Sequence, residues 1–234
     1  MAFWPLLLGI LTTRELVRGL GVEGYGLLIL VNSVAALVGF AQGGLGFAVI
    51  KHLSHDLAVD DQESARAVVG TSVAVTAGAG VIAILVLNFF STAIINNGLR
   101  VVGALAASAY TVVLLTSLTF AVGLVSGIYH SVLAALQRYG ALATARLATA
   151  TLLAGSQVSL MRLGMGLNSV AAANLIFSVL NLLLLMVYVT QSDRTLVFRP
   201  AFSKPALKKL LSFGTFRALD ISATSMLMQI DRVI

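Results

Sequence analysis

The sequence predicts an all-α integral membrane protein, a multi-span helical bundle. Three observations predict it. Hydrophobic residues make up 59% of the 234 and charged residues only 10%, where a soluble domain carries about 25% charged. Surface-to-volume scaling gives no globular core room for that much apolar side chain, and the mean hydropathy of +0.99 is far from the polar composition of a disordered chain. The apolar residues fall in runs of the length a bilayer core demands, about 20 helical residues for about 30 Å. The runs are continuous rather than alternating over about ten residues, which excludes barrel strands. Helix is the spanning structure because each segment satisfies its own backbone in lipid.

Seven segments are expected in order. Residues 3–11 start the first, which reaches spanning length only by continuing to Leu20 through Arg14, Glu15 and Arg18. The second is Gly26–Ile50, stopped by Lys51 and carrying the glycine cluster Gly43-Gly44-Leu45-Gly46. The third is Ala67–Phe90, the fourth Val101–Tyr129, the fifth Ala141–Met161 with Arg146 inside it, and the sixth Val170–Val189. The seventh runs from Leu207 to Ile234 and contains Arg217, Asp220, Asp231 and Arg232. Two connections are longer than the rest. Lys51–Arg66 is polar, with Asp56, Asp60, Asp61 and Glu63, and Thr190–Ala206 carries Pro200 and Pro205, which mark a break and restart. Leu207-Lys208-Lys209-Leu210-Leu211 reads as an interfacial entry to the seventh segment.

Fifteen Lys and Arg against nine Asp and Glu give a net charge of +6. The basic residues sit at the ends of apolar runs, where they orient helices and meet anionic headgroups, and no basic patch with interleaved aromatics points to nucleic acid. Arg14, Arg18, Arg100 and Arg162 flank the odd-numbered connections; Lys51, Arg66, Arg138, Arg194, Arg199, Lys204, Lys208 and Lys209 flank the even-numbered ones. The positive-inside rule then places the even-numbered connections and the N-terminus in the cytoplasm. The chain has no cysteine, so disulfides, thiol nucleophiles and Cys-ligated metals are excluded. Residues 1–11 lack a basic n-region and a small-residue cleavage site. The short first segment and the seventh ending at Ile234 read as those of a piece of a longer protein.

Four stretches taken together carry a resemblance. Arg18-Gly19-Leu20-Gly21-Val22-Glu23-Gly24-Tyr25-Gly26-Leu27 resembles the R-x-L-G-x-x-x-Y-G turn between the first two helices of the polysaccharide flippases, the O-antigen and exopolysaccharide lipid transporters of the MOP exporter superfamily. Gly43-Gly44-Leu45-Gly46 is similar to that family's Gly-Leu-Gly close of the second helix, and Leu133–Tyr139 (LAALQRY) to its L-Q-G-x-x-R entry to the fifth. Leu210-Leu211-Ser212-Phe213-Gly214, followed by Met228-Gln229-Ile230-Asp231-Arg232, resembles its seventh helix. The departures are the short first helix, Ala134-Ala135 where a glycine near Gln137 is expected, and the missing second lobe. The resemblance implies one lobe of a two-lobe MOP-type transporter plus the start of the second lobe. Residues 1–190 would be the first lobe, 191–206 a cytoplasmic linker, and 207–234 the first helix of the second lobe. It also implies a substrate, an undecaprenyl-diphosphate-linked oligosaccharide flipped across the cytoplasmic membrane, with membrane lipids, a polysaccharide polymerase and chain-length machinery as partners. No cofactor is implied.

Moving a doubly negative headgroup past an apolar core calls for a wet cavity lined by cations and by hydroxyl or amide groups. Arg146 is the first candidate, with Thr149, Leu153, Ser156 and Gln157 on its face; the alternative is that it snorkels to the headgroups. Arg217, Asp220, Thr224 and Asp231 share a face of the seventh segment. Arg217 would bind substrate, while Asp220 or Asp231 would couple an ion, or Arg217 and Asp220 would form a structural pair. Arg18 faces either the headgroup or the cavity. Substrate binding is therefore assigned to Arg146, Arg217, Arg18, Gln157 and Thr149. Asn32, Asn88, Asn174 and Asn181 read as interhelical hydrogen bonds. His52, His55 and Asp56 have a metal-like spacing but no further ligands, and read as a solvated loop. No phosphate cradle, catalytic triad or ATP motif is present. The rival functions are a cation or drug antiporter of the same superfamily, which needs carboxylates deep in the first lobe; a glycan-polymerising or transferring membrane enzyme, which needs a large polar loop; and a non-transporting scaffold.

Overall fold

The computed structural model describes residues 3–91, 104–193, 196 and 202–214. Within them every regular element is helical. The helices are α1 (Phe3–Ala58), α2 (Gln62–Phe89), α3 (Ala104–Ala135), α4 (Tyr139–Arg162) and α5 (Leu167–Ser192), followed by α6, described over 204–214. α2, the Ser108–Ala135 part of α3, and α5 are long and apolar enough to cross a membrane. The apolar runs thus form the helices their lengths demand, and the helix ends outrun the runs.

α1 is two helices joined at one residue. Gly21 has φ 71° and ψ 171°, a backbone region open essentially to glycine alone. The expected first and second segments therefore meet at the Gly21 of the motif, without a loop. The second arm continues past Ile50 to Ala58, so the polar connection expected over Lys51–Arg66 shrinks to Val59-Asp60-Asp61. This corrects the reading of His52–Asp56 as a solvated loop: these residues are helical, and Asp56 is buried. The Ser64 hydroxyl donates to Asp56 Oδ2 at 2.6 Å, which compensates the carboxylate for its loss of water.

The next turns share one design. After α1, the Asp61 amide donates to the Asp56 carbonyl (2.9 Å) and the Asp60 amide to Leu57 (3.3 Å). After α3, the Arg138 amide reaches Leu133 (2.9 Å) and the Gln137 amide Ala134 (3.0 Å). After α4, the Met165 amide reaches Leu160 (3.0 Å) and the Gly164 amide Met161 (3.1 Å). These are Schellman closures, and Asp60, Gln137 and Gly164 carry the positive φ the motif requires, at 56°, 55° and 70°. Asp61 then caps α2, its Oδ1 accepting from the Ser64 amide at 3.0 Å. Glutamine at the left-handed position costs about 1–2 kcal/mol relative to glycine. Gln137→Gly is therefore expected to stabilise the protein by about 1 kcal/mol, read as a raised thermal midpoint in detergent.

The described chain falls into two compact units. Unit 1 comprises the described residues within 1–35, 80–123 and 143–184, and unit 2 those within 36–79, 124–142 and 185–234. Of the described basic residues, Arg14, Arg18 and Arg162, expected at the odd-numbered connections, belong to unit 1, and Lys51, Arg66, Arg138, Lys204, Lys208 and Lys209 of the other set belong to unit 2. Unit 1 is built on a cluster from five helices, including Leu16, Leu28, Leu87, Val112, Met161 and Val170. Unit 2 buries Leu53, Val68, Ile128, Leu133, Leu185 and Leu210. In both units small residues bring backbones close, as they do where lipid supplies no hydrophobic drive for association. A Cβ on Gly80 would lie 2.9 Å from Ala121 Cβ in unit 1, and one on Gly214 would lie 3.5 Å from the Gly44 carbonyl in unit 2. Gly43-Gly44-Leu45-Gly46 lies inside a continuous helix. At Gly44 it provides a close approach rather than a helix break.

The outer faces separate into two kinds. Val81, Ile82, Leu85, Val86 and Phe89 of α2 are exposed, as are Ile176, Val179, Leu180, Leu183 and Val187 of α5. Such stripes match acyl chains, while the polar side chains Thr71, Ser72 and Thr76 of α2, all buried, and Asn174, Ser178 and Asn181 of α5 lie off them. α4 differs. Thr144, Ala148, Thr151, Gly155 and Ser159 are exposed on it, and it does not reach the apolarity of the other three.

Candidate functional site

The described residues of the expected site, Arg18, Arg146, Thr149 and Gln157, all lie in unit 1. Along α5, Asn174, Ser178 and Asn181 fall at i, i+4 and i+7 and so form one stripe. Each rung has a partner on another helix. The Gln157 amide of α4 donates to Asn174 Oδ1 at 2.8 Å, and the Thr149 hydroxyl of α4 lies 3.4 Å from Asn181 Oδ1. The Ser178 hydroxyl lies 3.5 Å from the Thr119 carbonyl of α3. The α2–α3 contact repeats the pattern, Asn88 donating to the Ser117 hydroxyl at 3.0 Å. Three of the four asparagines read as interhelical groups therefore bond across helices. Among the described residues Asn32 bonds within its own helix, to the Leu28 carbonyl at 2.7 Å. On the opposite side of α4, Trp4 of α1 donates from Nε1 to the Thr151 hydroxyl at 3.0 Å. Sequence reasoning missed this contact, because nothing local links the two.

Gln157 is buried and its amide is engaged. Removing one member of such a pair leaves the other unsatisfied, at about 1–3 kcal/mol. Gln157→Leu is accordingly expected to destabilise the protein by that amount. A cycle with Asn174→Leu is expected to return a coupling of about 0.6–2 kcal/mol in thermal or denaturant unfolding.

Arg146 stands one turn from Thr149. By spacing it shares the side of α4 that carries half-buried Thr149, Ala150 and Leu153 and buried Gln157, away from the exposed face through Ala148, Leu152, Gly155 and Ser159. Its own side chain is nevertheless exposed, and no ion pair holds it among the described residues. The guanidinium is thus on the inward-turned side of its helix and open. Its chemistry there is that of a planar five-donor cation that grips phosphate or carboxylate through two parallel hydrogen bonds.

Arg18 is exposed, with its guanidinium 4.0 Å from Glu15 on the same helix. That is a surface pair worth about 0–1 kcal/mol, and it leaves Arg18 available. Arg217, Asp220 and Asp231 lie outside the described residues. Among the described residues the carboxylates of unit 1 are Glu15 and Glu23, against Arg14, Arg18, Arg146 and Arg162, a balance of four positive to two negative. Among α2 to α5 the one carboxylate is Glu63, in the first turn of α2. No group of three or more His, Cys, Asp or Glu is placed to hold a metal ion among the described residues. His55 Nδ1 is 3.4 Å from Asp56 Oδ1, so the histidine-rich stretch forms one local pair rather than a ligand set.

Together these features define a multi-span helical membrane protein with a polar seam inside one unit. No family model matches the chain, and no curated protein matches it. A solved structure does: a crystal structure of a MATE in complex with MaD3S is similar over 96% of this chain, with a TM-score of 0.73 and 18% identity. The chain spans about half of that protein, 51% of its length. At that identity the likeness is one of fold. It assigns the chain to no family and bears out the expected all-helical, multi-span architecture.

Proposed function

We propose that the chain is a lobe of a MOP-type transporter, that it works by alternating access, and that its cargo is an anionic lipid-linked oligosaccharide. The observation that carries this reading is Arg146, an open guanidinium on the inward-turned side of α4, where α2, α3 and α5 together carry one carboxylate, Glu63 in the first turn of α2. Such a residue costs about 2.5–3.5 kcal/mol in the middle of a lipid-facing helix. In a wet vestibule the cost falls away and the charge meets diphosphate. Arg18 and Thr149 would supply further polar contacts and Arg217 of the expected seventh segment a second cation, with Gln157 holding α4 to Asn174 behind them, while the lipid tail stays among acyl chains. Asp220 or Asp231 would couple an ion. The Lys/Arg bias supports a cytoplasmic-membrane protein with its N-terminus and the 191–206 linker in the cytoplasm, and a polysaccharide polymerase with its chain-length machinery would act on the flipped product.

The second reading, a cation or drug antiporter, is favoured by the MATE neighbour. Cation binding needs buried carboxylates, and the scarcity of them in α2 to α5 weighs against it. The two readings separate in cells. The protein, expressed as its full coding sequence in a strain lacking its own O-antigen flippase, is expected to restore surface polysaccharide and to leave susceptibility to cationic drugs unchanged. Unrestored polysaccharide with increased drug resistance would replace the first reading by the second.

A further inference from the structure

Unit 2 contains a joint that the transport reading does not use. Beyond the apolar run that ends at Ile50, the last turns of α1 pack against α6. Gly214 lies against Gly44 and Leu45, where an added Cβ would touch at 3.5–3.6 Å. Phe213 of α6 is held from two directions: the Lys51 ammonium sits 4.0 Å from its ring centroid, and the His52 ring meets it edge-on at 6.2 Å and 84°. On its other side, Ser203 anchors the start of α6 by donating its amide to the Thr71 hydroxyl of α2 at 3.1 Å.

His52 is the unusual member. Its Nε2 is buried and has no hydrogen-bond partner. The charged groups that face it are Lys51 and Asp56 from α1 and Lys209 from α6, and the Lys209 backbone also bonds to the ring. The two nearest cations repel an imidazolium; Asp56 and the Lys209 backbone bond favour one, but both count for less than burial and the Lys51 ammonium, and Asp56 already accepts the Ser64 hydroxyl. A neutral ring fits this joint. A protonated ring would hold a buried N–H without an acceptor, between two ammonium groups, against an aromatic partner.

We propose that His52 is a proton-operated latch: the neutral imidazole holds α6 on the end of α1, and proton uptake releases it. The ligand is the proton itself, and the site is independent of what the protein carries. Burial lowers the His52 pKa below its ordinary value of 6.5, with the Lys51 ammonium adding to the shift. A proton then binds more weakly with the joint closed than with it open. The contact is at full strength above the ordinary value of 6.5 and weakens as pH falls through the lowered one. Acidification is therefore the releasing direction.

The chain has no native cysteine, so Ala58→Cys and Ser212→Cys, both at exposed positions, give a clean spin-label pair across the joint. Electron–electron dipolar distances in lipid nanodiscs would be compared at about pH 8 and about pH 5, either side of the histidine range. The expected result is one short, narrow distance at the higher pH, and a longer or broader distribution at the lower. In His52→Gln, which cannot gain a proton, the short distance is expected at both values. His55→Gln, which removes the neighbouring exposed histidine, is expected to keep the pH response. Should His52→Gln not fold, His52→Asn serves the same purpose. A response that survives in the neutral variants, that disappears in His55→Gln, or that is absent from the parent overturns the latch.

Discussion

Gly80→Ala is expected to lower the thermal midpoint of the protein by several degrees, while Gly78→Ala, two residues away on the same helix, leaves it unchanged or raises it. The contrast isolates packing from helix propensity. Alanine is the better helix former at both sites, by up to about 1 kcal/mol. At Gly78 a Cβ meets nothing within 4 Å, so only that gain remains. At Gly80 the same atom falls 2.9 Å from Ala121 Cβ and 3.2 Å from its Cα. Neither neighbour can rotate away, so α2 and α3 must separate along a contact they share within unit 1. Overpacking of this kind costs about 1–3 kcal/mol, and about 2–4 °C of midpoint follows each kcal/mol in a chain of this size. The neighbouring Asn88–Ser117 hydrogen bond, at 3.0 Å, lies two turns along the same contact and would be strained by the same separation.

Arg146→Ala is expected to abolish or nearly abolish transport while leaving folding intact. The second half follows from exposure: the side chain is open and makes no ion pair among the described residues, so its loss strands no partner and opens no cavity. The first half follows from charge. A hydrogen bond to an ionised group contributes about 1.5–3 kcal/mol, which at about 1.4 kcal/mol per decade is about 10- to 150-fold in binding; a bidentate grip on diphosphate supplies two. Arg146→Lys keeps the charge and loses the fork, so an intermediate rate is expected. Equal loss in both variants would point to geometry as the decisive property, and no loss in either would remove Arg146 from the site. The measurement is surface polysaccharide in the complemented strain, normalised to protein in the membrane.

The helices were legible because bilayer thickness sets a length that apolar runs either meet or miss. α2, α3 and α5 stand where runs of that length stand. Their ends were not legible, because helix continues into polar sequence wherever a cap is available. Asp61 caps α2 and Ser64 satisfies Asp56, and these local bonds turn an expected loop of sixteen residues into three. The left-handed closures at Asp60 and Gln137 fall on residues other than glycine, so the usual signal was missing at both turns. At Gly21 the signal was present and correct in place. Within the site, polar residues in an apolar helix were visible one at a time. Their pairing was not, because Gln157 finds Asn174 only once α4 and α5 run antiparallel in one register. Trp4–Thr151 and His52–Phe213 join residues far apart in the chain, and no local pattern announces them.

The account rests on the side of α4 that Arg146 occupies being wet. Because the native chain lacks cysteine, Arg146→Cys in nanodiscs can be challenged with a charged, water-soluble maleimide beside Val179→Cys and Leu183→Cys on the exposed apolar stripe of α5. The account predicts rapid modification at 146 and none at 179 or 183; a cysteine at 146 as unreactive as the two lipid-facing ones would contradict it.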